Sequence, residues 1–279
     1  MAEPGAKEHQ GLIRGTVINL GASTLDTLDH IGVLWNLLAD MCGWIFRAMT
    51  RQKVRLGRAA IVAQMVRVGV QSVFIVALVS GSIGFILGFQ MAPPLDNLGQ
   101  KELVPNIIAV AVLRELGPLV AAIVLIGFAG ASIAAEIGTM VVGEEVEALE
   151  AHALNPVRFL VVPRVLATIA SLICLSVLSD LVAVFAAALM CKTVLDVSWT
   201  TYYINTLSQV GPRDFLTGLV KAGIFGGLIG LIACGNGLKV TGGAAGVGKA
   251  TTNTVVESVV AVIFADLIFT VIFYALKLF

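Results

Sequence analysis

From Ala111 to Arg164 the chain reads AVLRELGPLVAAIVLIGFAGASIAAEIGTMVVGEEVEALEAHALNPVRFLVVPR. Arg114, Glu115, Gly117 and Pro118 interrupt an apolar run near its start. A long small-residue-rich segment follows, then an acidic segment closed by Asn155-Pro156. Inside a bilayer each of these irregularities costs free energy. An ionisable side chain is expensive there unless paired or hydrated, and a proline removes a helix hydrogen bond. Whether the stretch lies in a membrane therefore decides how it is read.

The bulk composition answers that. The chain has 279 residues, 58% hydrophobic and 13% charged, with a mean hydropathy of +0.95. A soluble domain carries roughly a quarter charged residues, so this is an all-α, polytopic membrane protein. Formal net charge is zero, which offers nothing to nucleic acid. The polar start MAEPGAKEHQ has no apolar core behind it, so no cleaved signal peptide is expected. Cys42, Cys174, Cys191 and Cys234 form no CxxC and read as small buried hydrophobes. His9, His30 and His152 have no partners at metal-ligand spacing. No metal site and no catalytic residue is expected.

Around the quoted stretch five apolar runs recur: 68–91, 107–142, 159–190, 215–233 and 255–276. Residues 1–20 read as a polar tail. Residues 21–55 hold an amphipathic helix and a basic linker, and 56–279 form the five-span unit. In the amphipathic segment Leu25, Leu28, Trp35, Leu38, Cys42, Ile45 and Met49 recur at helical spacing, which suits a helix lying in the membrane interface. Arg47, Arg51, Lys53, Arg55, Arg58 and Arg67 follow with no acid among them, a cytoplasmic signature. With that end inside, ten Lys and Arg fall on inner segments and four on outer ones, so the C-terminus is expected outside.

The second run has 36 residues, or ~54 Å as a helix, against a ~30 Å hydrocarbon core. It either projects into the cytoplasm or kinks at the hinge candidates Gly117 and Pro118. Its small residues, like Gly223, Gly226, Gly227 and Gly230 in the fourth run, serve close helix packing or a moving contact. Gly243-x4-Gly248-Lys249 imitates a phosphate-binding loop, but Ala250 replaces the required Ser or Thr and no strand precedes it. A glycine hinge capped by Thr251 or Thr252 is the expectation there, and no ATP site.

Four charges fall in the outer half of the spans: Arg114, Glu115, Lys221 and Asp266. Arg114–Glu115 and Lys221–Asp266 are either structural pairs or the lining of a polar pocket for a lipid headgroup. Asp180 is a weaker member, and Glu136 and Glu257 near the inner ends read as solvated. The acidic segment at about 143–155 holds Glu144, Glu145, Glu147 and Glu150 and ends at Asn155 and Pro156. It reads as an amphipathic helix shaped to dock on a soluble partner, or as a solvated loop.

With these pieces the sequence resembles the MlaE/YrbE family of ABC-transporter permeases. The resemblance rests on Leu113-Arg-Glu-Leu-Gly-Pro118, Ala134-Ala-Glu-Ile-Gly-Thr-Met140, Glu144-Glu-Val-Glu-Ala-Leu149, Asn155-Pro156 and Val161-Val-Pro-Arg164. Gly248-Lys-Ala-Thr-Thr and Asp266 also fit. Glu147-Ala148-Leu149 is similar to the EAA coupling segment of ABC importers, with Ala153 where a later glycine is usual. Gly127-Phe128-Ala129-Gly130 departs from the family's Gly-Arg-x-Gly. The resemblance implies a homodimer with a cytoplasmic ABC ATPase holding ATP and magnesium, and no cofactor in this chain. It also implies a periplasmic MCE-domain partner, a phospholipid substrate and a bacterial inner membrane, or a plastid inner envelope. Two rivals remain: an ion-coupled transporter using the intramembrane charges, and a scaffold without transport.

Overall fold

The computed structural model describes residues 25, 28–29, 31–48, 50 and 58–276. The expected polar tail, Met49 and the linker residues Arg51, Lys53 and Arg55 lie outside the described residues. Every element among the described residues is helical. Helix α1 covers 31–48. Five long helices follow: α2 (Ala59–Asn97), α3 (Lys101–Val142), α5 (Val157–Val194), α7 (Pro212–Leu238) and α8 (Gly243–Ala275). Each is long and apolar enough to cross a membrane. Between them lie two short helices, α4 (Glu145–Ala151) and α6 (Trp199–Gln209).

Helix α5 is the hub, packed against α2, α3 and α7. Small residues make that possible. A Cβ at Gly84 of α2 would overlap the Ala183 carbonyl of α5, and one at Gly226 of α7 would stand 2.8 Å from the Ile169 Cα. At these crossings close packing is the reason for glycine. The main core joins Ala121, Leu125, Ile133, Val165, Leu172 and Phe225. A smaller core at the far end gathers Ala92, Ile108, Met190 and Tyr202.

Helix α1 has two apolar sectors. Leu37 and Met41 are buried, with Leu34, Leu38, Trp44 and Ile45 packed beside them at the i, i+3, i+4, i+7 spacing of one helical face. Leu25, Leu28 and Trp35, expected on the same face as Leu38, are exposed. The face read from the periodicity thus divides: Leu38 and Ile45 pack on the core, while Leu25, Leu28 and Trp35 stay uncovered, as residues turned to a membrane interface would be. The guanidiniums of Arg47 and Arg158 lie 5.1 and 5.6 Å from the Trp44 ring centre, tying α1 to the start of α5.

Several boundaries differ from expectation. Helix α2 continues through Pro93 and Pro94 to Asn97, so the connection expected over 91–106 shrinks. The connection over 191–214 contains α6, whose Ser198 caps the Thr201 N–H. Gly242 and Gly243, at φ +84° and +68°, make the turn into the fifth span, but neither threonine caps it: α8 begins at Gly243, and Thr251 and Thr252 sit inside it with hydroxyls bonded to the Gly248 carbonyl. Cys191 and Cys234 are buried, but Cys42 and Cys174 are exposed on outward helix faces.

Pro118, the hinge candidate with Gly117, lies within the continuous helix α3. It follows a π turn, Val112–Leu116, closed by the Gly117 N–H on the Val112 carbonyl. A second π turn, Val157–Val161, precedes Pro163 in the same way. The wider turn accommodates a residue that lacks an N–H and would crowd the preceding carbonyls.

Candidate functional site

Neighbouring residues on a helix diverge in direction, so Arg114 and Glu115 do not face each other. The structure sends them to different partners. The Arg114 Nε donates to Asp214 Oδ1 at 2.6 Å, while Glu115 turns toward α7 and α8. The expected Arg114–Glu115 pair is therefore replaced by two separate contacts.

Lys221 is completely buried. An ammonium has three N–H groups, and here each has an acceptor. Glu115 Oε2 lies at 2.5 Å, Asp266 Oδ1 at 2.9 Å and Thr270 Oγ1 at 3.1 Å. The Thr270 hydroxyl also lies 3.1 Å from Glu115 Oε1 and 2.8 Å from the Asp266 carbonyl. One buried cation thus ties α3, α7 and α8 together, which meets the condition for holding a charge in a dry site. The expected Lys221–Asp266 pair is present, with Glu115 added. The carboxylates keep partial access, 30% for Glu115 and 18% for Asp266, as does Arg114 at 25%. The accessible part of the Lys221 cluster is therefore carboxylate, with the ammonium behind it, and the Arg114 guanidinium is accessible beside Asp214 in its own contact.

Two members were missed. Asp214 is the third helical residue of α7, its Oδ2 accepting from the Gly211 N–H at 2.8 Å. The run Gly211-Pro-Arg-Asp214 carries that helix-start signature. Thr270 stands four residues after Asp266, on the same helix face.

At the other end of α3, Glu136 is not merely solvated. It bridges Arg67 of α2 at 3.2 Å and Arg164 of α5 at 3.1 Å. Glu257 likewise accepts from Asn236 Nδ2 at 2.8 Å. Asp180 is buried apart from the Lys221 cluster, with its carboxyl against Gly117, where an added Cβ would overlap Oδ1. Space for that carboxyl is one reason for the glycine before Pro118.

The acidic helix α4 is shorter than expected, and Glu144, Glu145, Glu147 and Glu150 are all exposed. Asn155-Pro156 does not end it. Ala153, at φ +58°, does so. The Ala153 N–H bonds the Glu150 carbonyl and the Leu154 N–H the Leu149 carbonyl, a Schellman closure that ordinarily uses glycine. Asn155 instead caps the next helix through the Arg158 N–H at 3.2 Å. Phe128, where the family resemblance expected arginine, is exposed on a third π turn, Ile126–Gly130.

The family model described as Permease MlaE matches residues 61–272. A probable ABC transporter permease protein of Rickettsia felis is 36% identical over 77% of this chain and 83% of its own length. The intermembrane phospholipid transport system permease protein MlaE of Haemophilus influenzae is 33% identical over 80% of this chain and 86% of its own. The protein TRIGALACTOSYLDIACYLGLYCEROL 1, chloroplastic, of Arabidopsis thaliana is 32% identical over 76% of this chain and 60% of its own. With the match running from the first long helix into the last, the chain belongs to the MlaE permease family.

Proposed function

We propose that the chain is the membrane subunit of an ABC transporter that moves phospholipid between membranes, driven by ATP hydrolysis on a separate cytoplasmic subunit. One observation carries the reading. A single long helix, α3, bears Arg114 and Glu115 near one end and leads at the other into the exposed acidic helix α4. The name of the Haemophilus influenzae relative, an intermembrane phospholipid transport permease, supports the substrate class.

Two copies of the chain form the working unit, with a lipid cavity between them lined by α2, α3 and α8. Helix α8 favours this: Val260, Phe264, Leu267 and Val271 are exposed along one stripe. Lys221 has spent its donors, so the headgroup meets the outward edge of the cluster. A zwitterionic head fits there, its ammonium toward Glu115 and Asp266 and its phosphate toward Arg114. The motor docks at Glu144, Glu145, Glu147, Glu150, Asn155 and Pro156, and supplies the ATP and magnesium. An MCE-domain protein receives or delivers lipid on the opposite side. The chain sits in a bacterial inner membrane with its C-terminus toward the periplasm.

Charge reversal tests the coupling. Glu147→Lys with Glu150→Lys is expected to reduce co-purification of the ATPase and ATP-driven lipid transfer together. Unchanged values of both would refute a docking role for α4. A second reading draws on Lys221 sharing two carboxylates, the equipment of a proton relay. Transport by the purified chain under a pH gradient, with no ATPase present, would favour it instead.

A further inference from the structure

A cavity of about 540 Å³ lies between α5 and α6, outside the Lys221 cluster. Its volume is that of a small-molecule site. Val177, Leu181, Val184 and Phe185 of α5 form one wall, and Trp199 and Tyr203 of α6 face them. Leu181, Phe185 and Tyr203 are exposed, so the cavity is continuous with the outer surface of the bundle.

Its lining is apolar apart from Asp180, Thr206 and the polar tips of Trp199, Tyr202 and Tyr203. Asp180, 4% exposed, lines the floor; its Oδ1 packs against Gly117 without a hydrogen-bond partner, which leaves the rest of the carboxyl to the cavity side. A buried carboxyl oxygen without a donor is costly, and it is met by a proton or by a donor from elsewhere. The depth is informative. Tyr202 of α6 donates to the Val184 carbonyl at 2.9 Å, and Asp180 lies one helical turn below Val184, about 6 Å along the axis. Helix α6 carries Trp199, Tyr202 and Tyr203, the residue types of a membrane boundary. Asp180 therefore stands just beneath the boundary, where lipid polar groups give way to chains.

We infer that this cavity is a second lipid site, taking one amphiphile whose hydroxyl donates to Asp180 and whose apolar body lies along Leu181, Phe185 and Trp199. A neutral hydroxyl suits the site better than an ammonium or phosphate. Thr206 is the nearest polar companion in the lining, and no second charged side chain stands there to meet a charged head. The site is separate from the headgroup contact proposed at Arg114, Glu115 and Asp266, and stands whether or not that reading holds.

Photolabelling of the full chain in lipid nanodiscs tests it. The probe is hexadecanol carrying a diazirine, compared with a phosphatidic acid carrying the same group. The alcohol is expected to label Val177, Leu181, Phe185 or Tyr203 saturably, competed by unlabelled hexadecanol, with the phosphatidic acid labelling there at least fivefold less. Asp180→Leu is expected to lower alcohol labelling at least fivefold, and Asp180→Asn, which keeps an acceptor, by less. Leu181→Trp fills the cavity from its exposed side, leaves Asp180 in place, and is expected to abolish labelling. This arm decides the matter if Asp180→Leu fails to fold. Unsaturable labelling spread over all lipid-facing helices would overturn the site. Labelling indifferent to Leu181→Trp would do the same, as would a second protein chain cross-linked to these residues.

Discussion

Replacing Lys221 by methionine keeps the length of the side chain and removes its charge. In the native cluster that charge is met by Glu115 at 2.5 Å and Asp266 at 2.9 Å, with no solvent exposure of its own. Without it two carboxylates face each other at roughly 5 Å, a repulsion of about 3 kcal/mol at an effective dielectric near 20. Their partial exposure keeps the loss at the lower end of what breaking a buried ion pair costs, about 3–5 kcal/mol. For a chain of this size each kcal/mol moves the melting temperature by roughly 2–4 °C. Lys221→Met is therefore expected to melt about 6–12 °C lower in detergent, followed by intrinsic fluorescence. Adding Glu115→Gln and Asp266→Asn removes the stranded charges and is expected to recover most of the loss. Two results would refute the reasoning: a single variant melting within about 2 °C of the parent, or a triple variant no better than the single.

Ala153→Gly relieves a left-handed alanine and is expected to raise stability by about 1 kcal/mol, seen as a higher melting temperature with ATPase co-purification unchanged. Gly117→Ala forces a methyl into the Asp180 carboxyl and is expected to cost about 1–3 kcal/mol. Asp180→Ala in the same chain is expected to relieve that loss, giving a positive coupling in a double-mutant melting cycle. Glu136→Gln leaves the buried Arg164 without its carboxylate and is expected to cost about 2 kcal/mol. Arg67→Gln, half exposed, is expected to change melting by less than about 1 kcal/mol, since exposed ion pairs contribute little.

The number and rough placement of the spanning helices were legible because apolar length is a direct membrane signal, and the turns around them were not. The first apolar run was read as ending at residue 91, yet α2 runs on through Pro93 and Pro94 to Asn97. Packing against α5 overrides the local penalty there. The four charges were found by depth alone, and three of them meet in one cluster. Their pairing was misread because sequence adjacency is not spatial adjacency on a helix. Arg114 pairs across 100 positions with Asp214, a contact set by where α7 starts. Glu136 was misread for the opposite reason. Nearness to a helix end suggests water, but Arg67 and Arg164 approach it from two other helices. Helix periodicity reports faces within a segment and says little about which neighbour each face meets. Ala153 was noted only as a missing glycine, and its positive φ shows what that glycine would have relieved.

The charged contacts divide α3 into sections that would move differently. At its α4 end, Glu136 clamps it to α2 and α5 through two arginines. Near its other end, Glu115 clamps it to α7 and α8 through Lys221. Between the clamps lies the π turn Ile126–Gly130, with Gly127 and Phe128 exposed and the preceding α-helical segment packed on α5. A π turn is a local departure from the regular hydrogen-bond ladder and is often found where helices do work. A push on α4 would reach Glu136 as a rigid displacement, because α3 continues as regular helix from Ala131 to Val142. Beyond that point the π turn can absorb a change in direction, while the Lys221 clamp resists it. In the proposed transporter the work of the motor would therefore be concentrated on the second clamp, at the residues that face the headgroup. That gives a mechanical reason for Lys221, the most buried cation among the described residues, to sit there rather than near the motor.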